Sequence, residues 1–241
     1  MKQYRYYDLI LALFVTVLLV SNIASSAKIV DWGVSVLGLR LSFDAGTLLF
    51  PISYIFGDVL TEVYGYRRSR RVIWVGFGAA ALMSGVLWLV SRLPGEANWQ
   101  TNVGEAAYTA VLGSLSSGAI IIASLAAYFA GEFSNSIVLA KMKVAMQGRY
   151  LWARTISSTL IGEWIDSAIF VLMATLLGAT GFVWEIALSL IVANYIFKVC
   201  IEVIMTPATY RIVNFLKRAE HEDYYDVDTD FNPFKLELGR G

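Results

Sequence analysis

Six long apolar stretches constrain the fold of this chain more than any other feature of its sequence. They lie at residues 7–29, 45–66, 72–92, 110–137, 155–178 and 183–213. A helix that crosses a bilayer needs about 20 mainly apolar residues, and each stretch meets that requirement. Only 16% of the residues are charged, against about 25% in an average soluble domain. We therefore predict an all-α membrane protein with six transmembrane helices in one bundle.

The positive charges predict how these helices are oriented. Lys and Arg are enriched in cytoplasmic loops. Thirteen cations lie at the N-terminus, between helices 2 and 3, between helices 4 and 5, and near the C-terminus, whereas the opposite loops hold Lys28, Arg40 and Arg92. We expect both termini in the cytoplasm and the protein in the cell inner membrane. Residues 1–218 are then the transmembrane domain, and 219–241 a flexible, solvated acidic cytoplasmic tail.

The loop after the first helix allows two interpretations. Apolar residues partly alternate with polar or small ones at Val34, Val36, Leu39, Leu41 and Phe43. Alternation with a period of two is typical of a strand, which favours a short β-hairpin on the outer face. An irregular loop fits the same residues.

Several classes of function find no support in the sequence. The net charge is zero, which gives no reason to expect a nucleic-acid partner. The single cysteine, Cys200, and the single histidine, His221 in the tail, form no catalytic or metal-binding pattern, and no phosphate-binding Gly-rich loop is present. Asp58 and Asp166 lack the flanking motifs of an intramembrane aspartyl protease. We predict no enzyme, no catalytic residue, no metal and no cofactor.

Ionisable residues inside the apolar stretches point to a polar interior. Six of these residues are expected in the central and inner layers of the membrane: Asp58, Glu132, Glu163, Asp166, Lys198 and Glu202. Each charge costs about 2.5–3.5 kcal/mol at the bilayer centre, so all six facing lipid would cost roughly 15–20 kcal/mol. That total exceeds the usual net stability of a domain, about 5–15 kcal/mol. These side chains must therefore face the bundle interior, pair with one another, bind protons or line water.

Helical spacing gathers these residues onto shared faces. Asn194, Lys198 and Glu202 recur every four residues, while Glu163 and Asp166, like Glu132 and Asn135, are three apart. Lys198 either forms a structural ion pair with Asp58 or Glu202, or contacts a ligand. Acids outnumber cations in this layer, so either some carboxyls are protonated or the cavity binds a ligand that donates hydrogen bonds or carries positive charge.

Six segments of the chain resemble the VUT family of queuosine-precursor transporters. The most specific is residues 50–65 (FPISYIFGDVLTEVYG) in the second helix; the others are residues 21–28, 70–74, 131–135, 157–167 with its GEWIDS centre, and 194–199. The resemblance covers almost the whole chain except the tail. It implies uptake of a 7-deazaguanine, preQ0 or preQ1, and a fold somewhat like the substrate-binding component of energy-coupling-factor importers.

Combining the resemblance with the buried polar residues gives a set of expected substrate-binding residues. They are Glu163, Asp166, Asn135, Glu132, Lys198, Asn194, Asp58 and Asn22. A carboxylate can accept from both N1–H and the exocyclic amine of a guanine-type edge, and amides can both donate and accept. The expected partners are this small molecule and membrane lipid, with a homodimer left open. The alternative function is a substrate-capture subunit that needs a separate energising protein.

Overall fold

The computed structural model of the chain describes residues 4–36, 39–178 and 184–235. Helices make up most of it, in agreement with the predicted all-α class. They are α1 (Tyr7–Ala27), α2 (Phe50–Val59), α3 (Tyr66–Val90), α4 (Ala97–Asn102), α5 (Gly104–Ser116), α6 (Gly118–Ala145), α7 (Leu151–Leu176) and α8 (Trp184–Glu220).

Four segments of the described chain are long and apolar enough to cross a membrane. They are α1, α3, the combined segment Gly104–Ala145 that contains α5 and α6, and α7. These segments overlap the first, third, fourth and fifth predicted spans. The fourth is longer than expected, and it is interrupted between α5 and α6 at Ser117, whose backbone is extended.

The second predicted span, 45–66, is not one regular helix. A single 3₁₀ turn (Ala45–Leu48) precedes α2, and a π-helical turn (Leu60–Tyr64) follows it. Gly65 then adopts φ +83° before α3 begins. A Cβ atom on Gly65 would overlap the ring of Tyr224, so this junction depends on glycine.

The loop after α1 forms an antiparallel hairpin, which is one of the two arrangements that the sequence left open. Strand β1 (Ile29–Val36) pairs with β2 (Leu39–Asp44), from Ile29 opposite Asp44 to Val36 opposite Leu39. The register shifts between Asp31 and Ser35. The hairpin thus returns the chain from the end of α1 to the start of the broken second segment.

A buried ionic cluster joins the π-helical turn after α2 to α6, α7 and α8. Its centre is Glu62 in the π-helical turn, whose Oε1 lies 2.8 Å from Nη2 of Arg154, 2.8 Å from Nζ of Lys217 and 3.6 Å from Nζ of Lys143. Asp223 adds a second carboxylate, 2.8 Å from Lys217 and also paired with Lys143. Three cations therefore surround two acids. Although burial raises the pKa of Asp223, the two lysines lower it below its usual range overall.

The described part of the C-terminal segment contacts the helix ends through some of its residues, although most of its side chains are exposed. We call residues 221–235 the C-terminal strap. Its Asp226 is buried and accepts a hydrogen bond from the backbone N–H of Tyr66 at 3.0 Å. Phe231 lies against Tyr66, with ring centroids 5.0 Å apart, and Trp74 Nε1 donates to the carbonyl of Pro233 at 2.9 Å.

The two ends of the described chain also meet. Glu220, the last residue of α8, accepts hydrogen bonds from the backbone N–H groups of Arg5 at 3.0 Å and Tyr6 at 2.7 Å. A carboxylate at this position satisfies donors that the start of α1 would otherwise leave unpaired. Tyr4 donates to Glu222 at 2.6 Å. The N-terminus and the C-terminal strap therefore lie at the same end of the bundle.

Replacing the centre of the ionic cluster tests its role in stability. Glu62→Gln keeps the shape of the side chain but leaves Arg154, Lys143 and Lys217 with too little compensating charge. Breaking a buried pair in this way costs about 3–5 kcal/mol, so we expect a clear drop in the melting temperature of the purified protein in detergent. Glu105→Gln, an exposed carboxylate on α5, is the matched control. Equal melting temperatures for both variants would contradict a stabilising role for the cluster.

Candidate functional site

Two glycines make a close contact between α6 and α7. A Cβ atom on Gly131 would lie 3.1 Å from the carbonyl oxygen of Gly162, and a Cβ on Gly162 would lie 3.0 Å from the carbonyl oxygen of Gly131. Both glycines are buried. Helices in membranes approach closely where small residues face each other. The backbones of α6 and α7 therefore touch directly at this point.

A cavity of about 160 Å³ lies beside this contact. One water molecule needs only about 10–15 Å³ measured in the same way, so the space admits a small molecule. The lining comes from four helices: Leu18 and Asn22 of α1, Ser53 of α2, Ser124, Ala127, Tyr128, Gly131, Glu132 and Asn135 of α6, and Thr159, Gly162, Glu163, Asp166 and Phe170 of α7. Within the described part of the chain, three acids line it and no Lys or Arg does.

Five of the eight expected binding residues line this cavity: Asn22, Glu132, Asn135, Glu163 and Asp166. The pairs with a spacing of three residues do share a face, because Glu132 and Asn135 reach the cavity from α6 while Glu163 and Asp166 reach it from α7. The remaining three expected binding residues are Asp58, Asn194 and Lys198.

Asp58 is buried but does not line the cavity. It lies between Asn135 of the cavity wall and Glu202 of α8. Asn194 and Lys198 belong to α8, but their side chains fall outside the described part of the structure. Their expected contact with substrate remains a prediction.

Two side-chain oxygens in the cavity wall have unused hydrogen-bonding capacity. Oδ1 of Asn135 and Oγ1 of Thr159 are buried and have no hydrogen-bond partner among the described residues. Asn22, by contrast, donates to the carbonyl of Leu18 in its own helix at 2.7 Å. A buried polar atom without a partner costs free energy, so a ligand that pairs with these two oxygens would recover that cost.

Next to Asn135 in the chain, Ser136 belongs to a group of three buried hydroxyls that are hydrogen-bonded to one another across three segments. Thr61 Oγ1 lies 2.8 Å from Ser136 Oγ and 3.0 Å from Ser69 Oγ, and Ser136 and Ser69 are 3.0 Å apart. These residues come from the π-helical turn, α6 and α3. They hold the wall that carries Asn135 against the segment that carries Asp58 and Glu62.

Several residues of the cavity wall are not among the binding residues predicted from the sequence. Tyr128 and Thr159 line it. Gly131 and Gly162 also line it, and they let the backbones of α6 and α7 meet beside it. Each glycine lies one turn before a selected residue, Asn135 or Asp166, on the same helix face. That spacing is the feature of the sequence that could have identified the two glycines as part of the cavity wall. Among the aromatic residues, Phe170 lines the cavity, whereas Trp164 is 65% exposed on the outer surface of the bundle.

Membrane-length helices around an acid-lined cavity define a class of multi-pass membrane proteins that enclose a small polar molecule. The family model described as "Putative vitamin uptake transporter" matches residues 44–212. The chain belongs to this family, which comprises transporters rather than enzymes. The matched region contains α2, α3, α6 and α7, and with them most of the cavity wall.

Three relatives agree with this assignment. The queuosine precursor transporter of Escherichia coli K12 is 27% identical over 79% of this chain and 80% of its own. The probable queuosine precursor transporters of Haemophilus influenzae and Bacillus subtilis 168 are 29% and 24% identical, each over 70% of this chain and over 67% and 71% of their own. No solved structure gives a significant match to the chain.

The contact between the two glycines can be tested with single methyl groups. We expect Gly162→Ala to force α6 and α7 apart, because the new Cβ would lie 2.8 Å from Cβ of Asn135. Overpacking of this kind costs about 1–3 kcal/mol and should lower the melting temperature in detergent. Gly85→Ala in α3, where a Cβ meets nothing within 4 Å, should leave it unchanged or slightly higher. The same drop in both variants would count against the glycine contact.

Proposed function

We propose that the chain imports a queuosine precursor, the 7-deazaguanine preQ0 or preQ1, across the cell inner membrane. The three related transporters supply the substrate class. The observation that carries the proposal is the cavity itself, where three carboxylates and two amides converge between α1, α6 and α7. Such a wall suits a small molecule with several N–H donors.

The chemistry of the wall matches this class of ligand. The edge of a guanine-type base presents N1–H and an exocyclic amine side by side, and one carboxylate can accept from both. Glu163 or Asp166 is the proposed acceptor. Asn135 and Asn22 can serve the ring carbonyl and the remaining polar atoms. The ammonium group of preQ1 would gain from the acid excess, whereas neutral preQ0 would not.

We further propose six spans with both termini in the cytoplasm, in a fold like the substrate-binding component of energy-coupling-factor importers. The two spans beyond the four long apolar segments are the broken segment 45–66 and the segment 183–213, whose described part lies in α8. The hydrogen bonds from Arg5 and Tyr6 to Glu220 support termini on one side. Anionic lipid at the Arg67–Arg71 run and a homodimer belong to the same proposal.

Uptake by cells tests the substrate and the site together. The host lacks its own synthesis and import of these precursors but keeps the later steps that convert them into queuosine in tRNA, and labelled preQ0, preQ1 and queuine are offered separately. We expect wild type to restore queuosine in tRNA. Asp166→Asn, Glu163→Gln and Lys198→Met should each lower uptake about tenfold or more, the effect of losing one charge-assisted hydrogen bond. Glu105→Gln is the control for loss of a carboxylate on the surface.

Two outcomes of the cell assay would overturn different parts of the proposal. If wild type takes up none of the three compounds, the substrate is wrong. If all three site variants transport normally at equal protein levels, the assignment of the site is wrong. Immunoblots of the membrane fraction separate lost transport from lost protein.

The alternative is a substrate-capture subunit that depends on an energising partner. Purified protein reconstituted alone into lipid vesicles distinguishes the two. Accumulation or exchange of labelled preQ1 by these vesicles would remove the need for a partner. Binding of preQ1 without any movement across the vesicle membrane would favour the alternative.

A further inference from the structure

Helices α6 and α7 carry the same five-residue pattern. Residues 131–135 read GEFSN and residues 162–166 read GEWID, which is Gly, Glu, an aromatic residue, any residue, and then Asn or Asp. The two helices are consecutive and antiparallel, since residues 131 and 135 of one lie against 166 and 162 of the other. A five-residue pattern alone does not show that the two copies are structurally equivalent, so the contacts between them decide this.

The contacts between the two copies are reciprocal. A Cβ on Gly131 would lie 2.8 Å from Cβ of Asp166, and a Cβ on Gly162 would lie 2.8 Å from Cβ of Asn135. The distances to the opposite glycine carbonyls, 3.1 and 3.0 Å, also agree. Exchanging the two copies therefore maps each contact onto the other within 0.1 Å. A local two-fold axis passes between the glycines, beside the cavity that both copies line.

The two copies differ inside the cavity at one position. Glu132 and Glu163 are equivalent and identical, and both line the cavity. The aromatic residues differ, but they do not line it: Phe133 is buried with Tyr66 and Trp74, and Trp164 faces outward. The last position of the pattern is Asn135 in one copy and Asp166 in the other. Their side chains have nearly the same shape and different hydrogen-bonding chemistry.

We propose that Asn135 and Asp166 are a symmetry-related pair that orients the ligand and sets its specificity. This inference rests on the proposed function, because it requires a small polar ligand in the cavity. A carboxylate only accepts hydrogen bonds, whereas an amide also donates them. The pair therefore favours a planar ligand that presents N–H donors beside a carbonyl acceptor, as the exocyclic amine, N1–H and ring carbonyl of a guanine-type base do. The repeat supplies two equivalent glutamates, Glu132 and Glu163. The difference between Asn135 and Asp166 makes the two sides of the cavity chemically distinct, so the ligand binds in one orientation.

A swap of the two residues tests the pair. Asn135→Asp raises the number of acids in the cavity from three to four, Asp166→Asn lowers it to two, and the double variant restores three. We expect each single variant to lower uptake of labelled preQ1 about tenfold or more. The double variant should transport at least about tenfold better than the product of the two single effects, since residues that act as a pair are non-additive.

The matched control is a second swap, Asn22→Asp with Asp166→Asn. It also conserves the acid count of the same cavity, but Asn22 on α1 has no symmetry relation to Asp166. We expect no recovery in this control. Asp58 lies beside Asn135 and penalises an added acid there, so the criterion is non-additivity rather than full wild-type uptake.

A second measurement does not depend on the ligand. The melting temperature of ligand-free protein should fall for Asn135→Asp and rise again when Asp166→Asn is added. Adding Asp166→Asn to Asn22→Asp should produce no such rise. If wild type carries no deazapurine, the proposed function fails, and the melting temperatures alone decide whether the two positions are equivalent. Additive effects in the Asn135/Asp166 cycle, or equal recovery by both swaps, would overturn the inference.

Discussion

The positions of the acids and of Asn135 that α6 and α7 contribute to the cavity depend on the direct backbone contact between Gly131 and Gly162. In lipid, helices gain little from hiding apolar surface, and they associate through close packing of small residues. Here the absence of two side chains lets α6 and α7 touch. The residues that follow each glycine by one and four positions then turn toward the same space. Glutamates and the Asn/Asp pair reach the cavity because the two backbones meet where they do.

Charge burial is organised differently at the end of the bundle where the termini lie. Glu62 is fully buried, but three cations from α6, α7 and α8 compensate it, and Asp223 of the strap shares two of them. Cations in these loops also predict the orientation of the protein. The same side chains therefore carry the topology signal and hold four segments together. The described lining of the cavity, by contrast, contains three acids and no Lys or Arg, which suits a ligand that donates hydrogen bonds.

Much of the cavity was predictable because its residues follow a local rule. Polar residues spaced by three on an apolar helix share a face and avoid lipid, and this reasoning selected Glu132, Asn135, Glu163 and Asp166. The strap was not predictable in this way. Its acids indicated a solvated segment, but Asp226 and Phe231 are placed by contacts with Tyr66, more than 150 residues earlier in the chain. Such a contact leaves no periodic signal in the sequence.

The sequence by itself determined the class of the protein, the approximate limits of its apolar segments and the residues that lipid would reject. These are properties of length, hydropathy and helical period, which act over one or two turns. Only the tertiary structure decided that the second segment is broken by a π-helical turn, that Glu62 is a structural centre and that Asp58 lies behind the cavity wall. Those outcomes depend on which helices touch, and two glycines and a buried ionic cluster set these contacts across long stretches of chain.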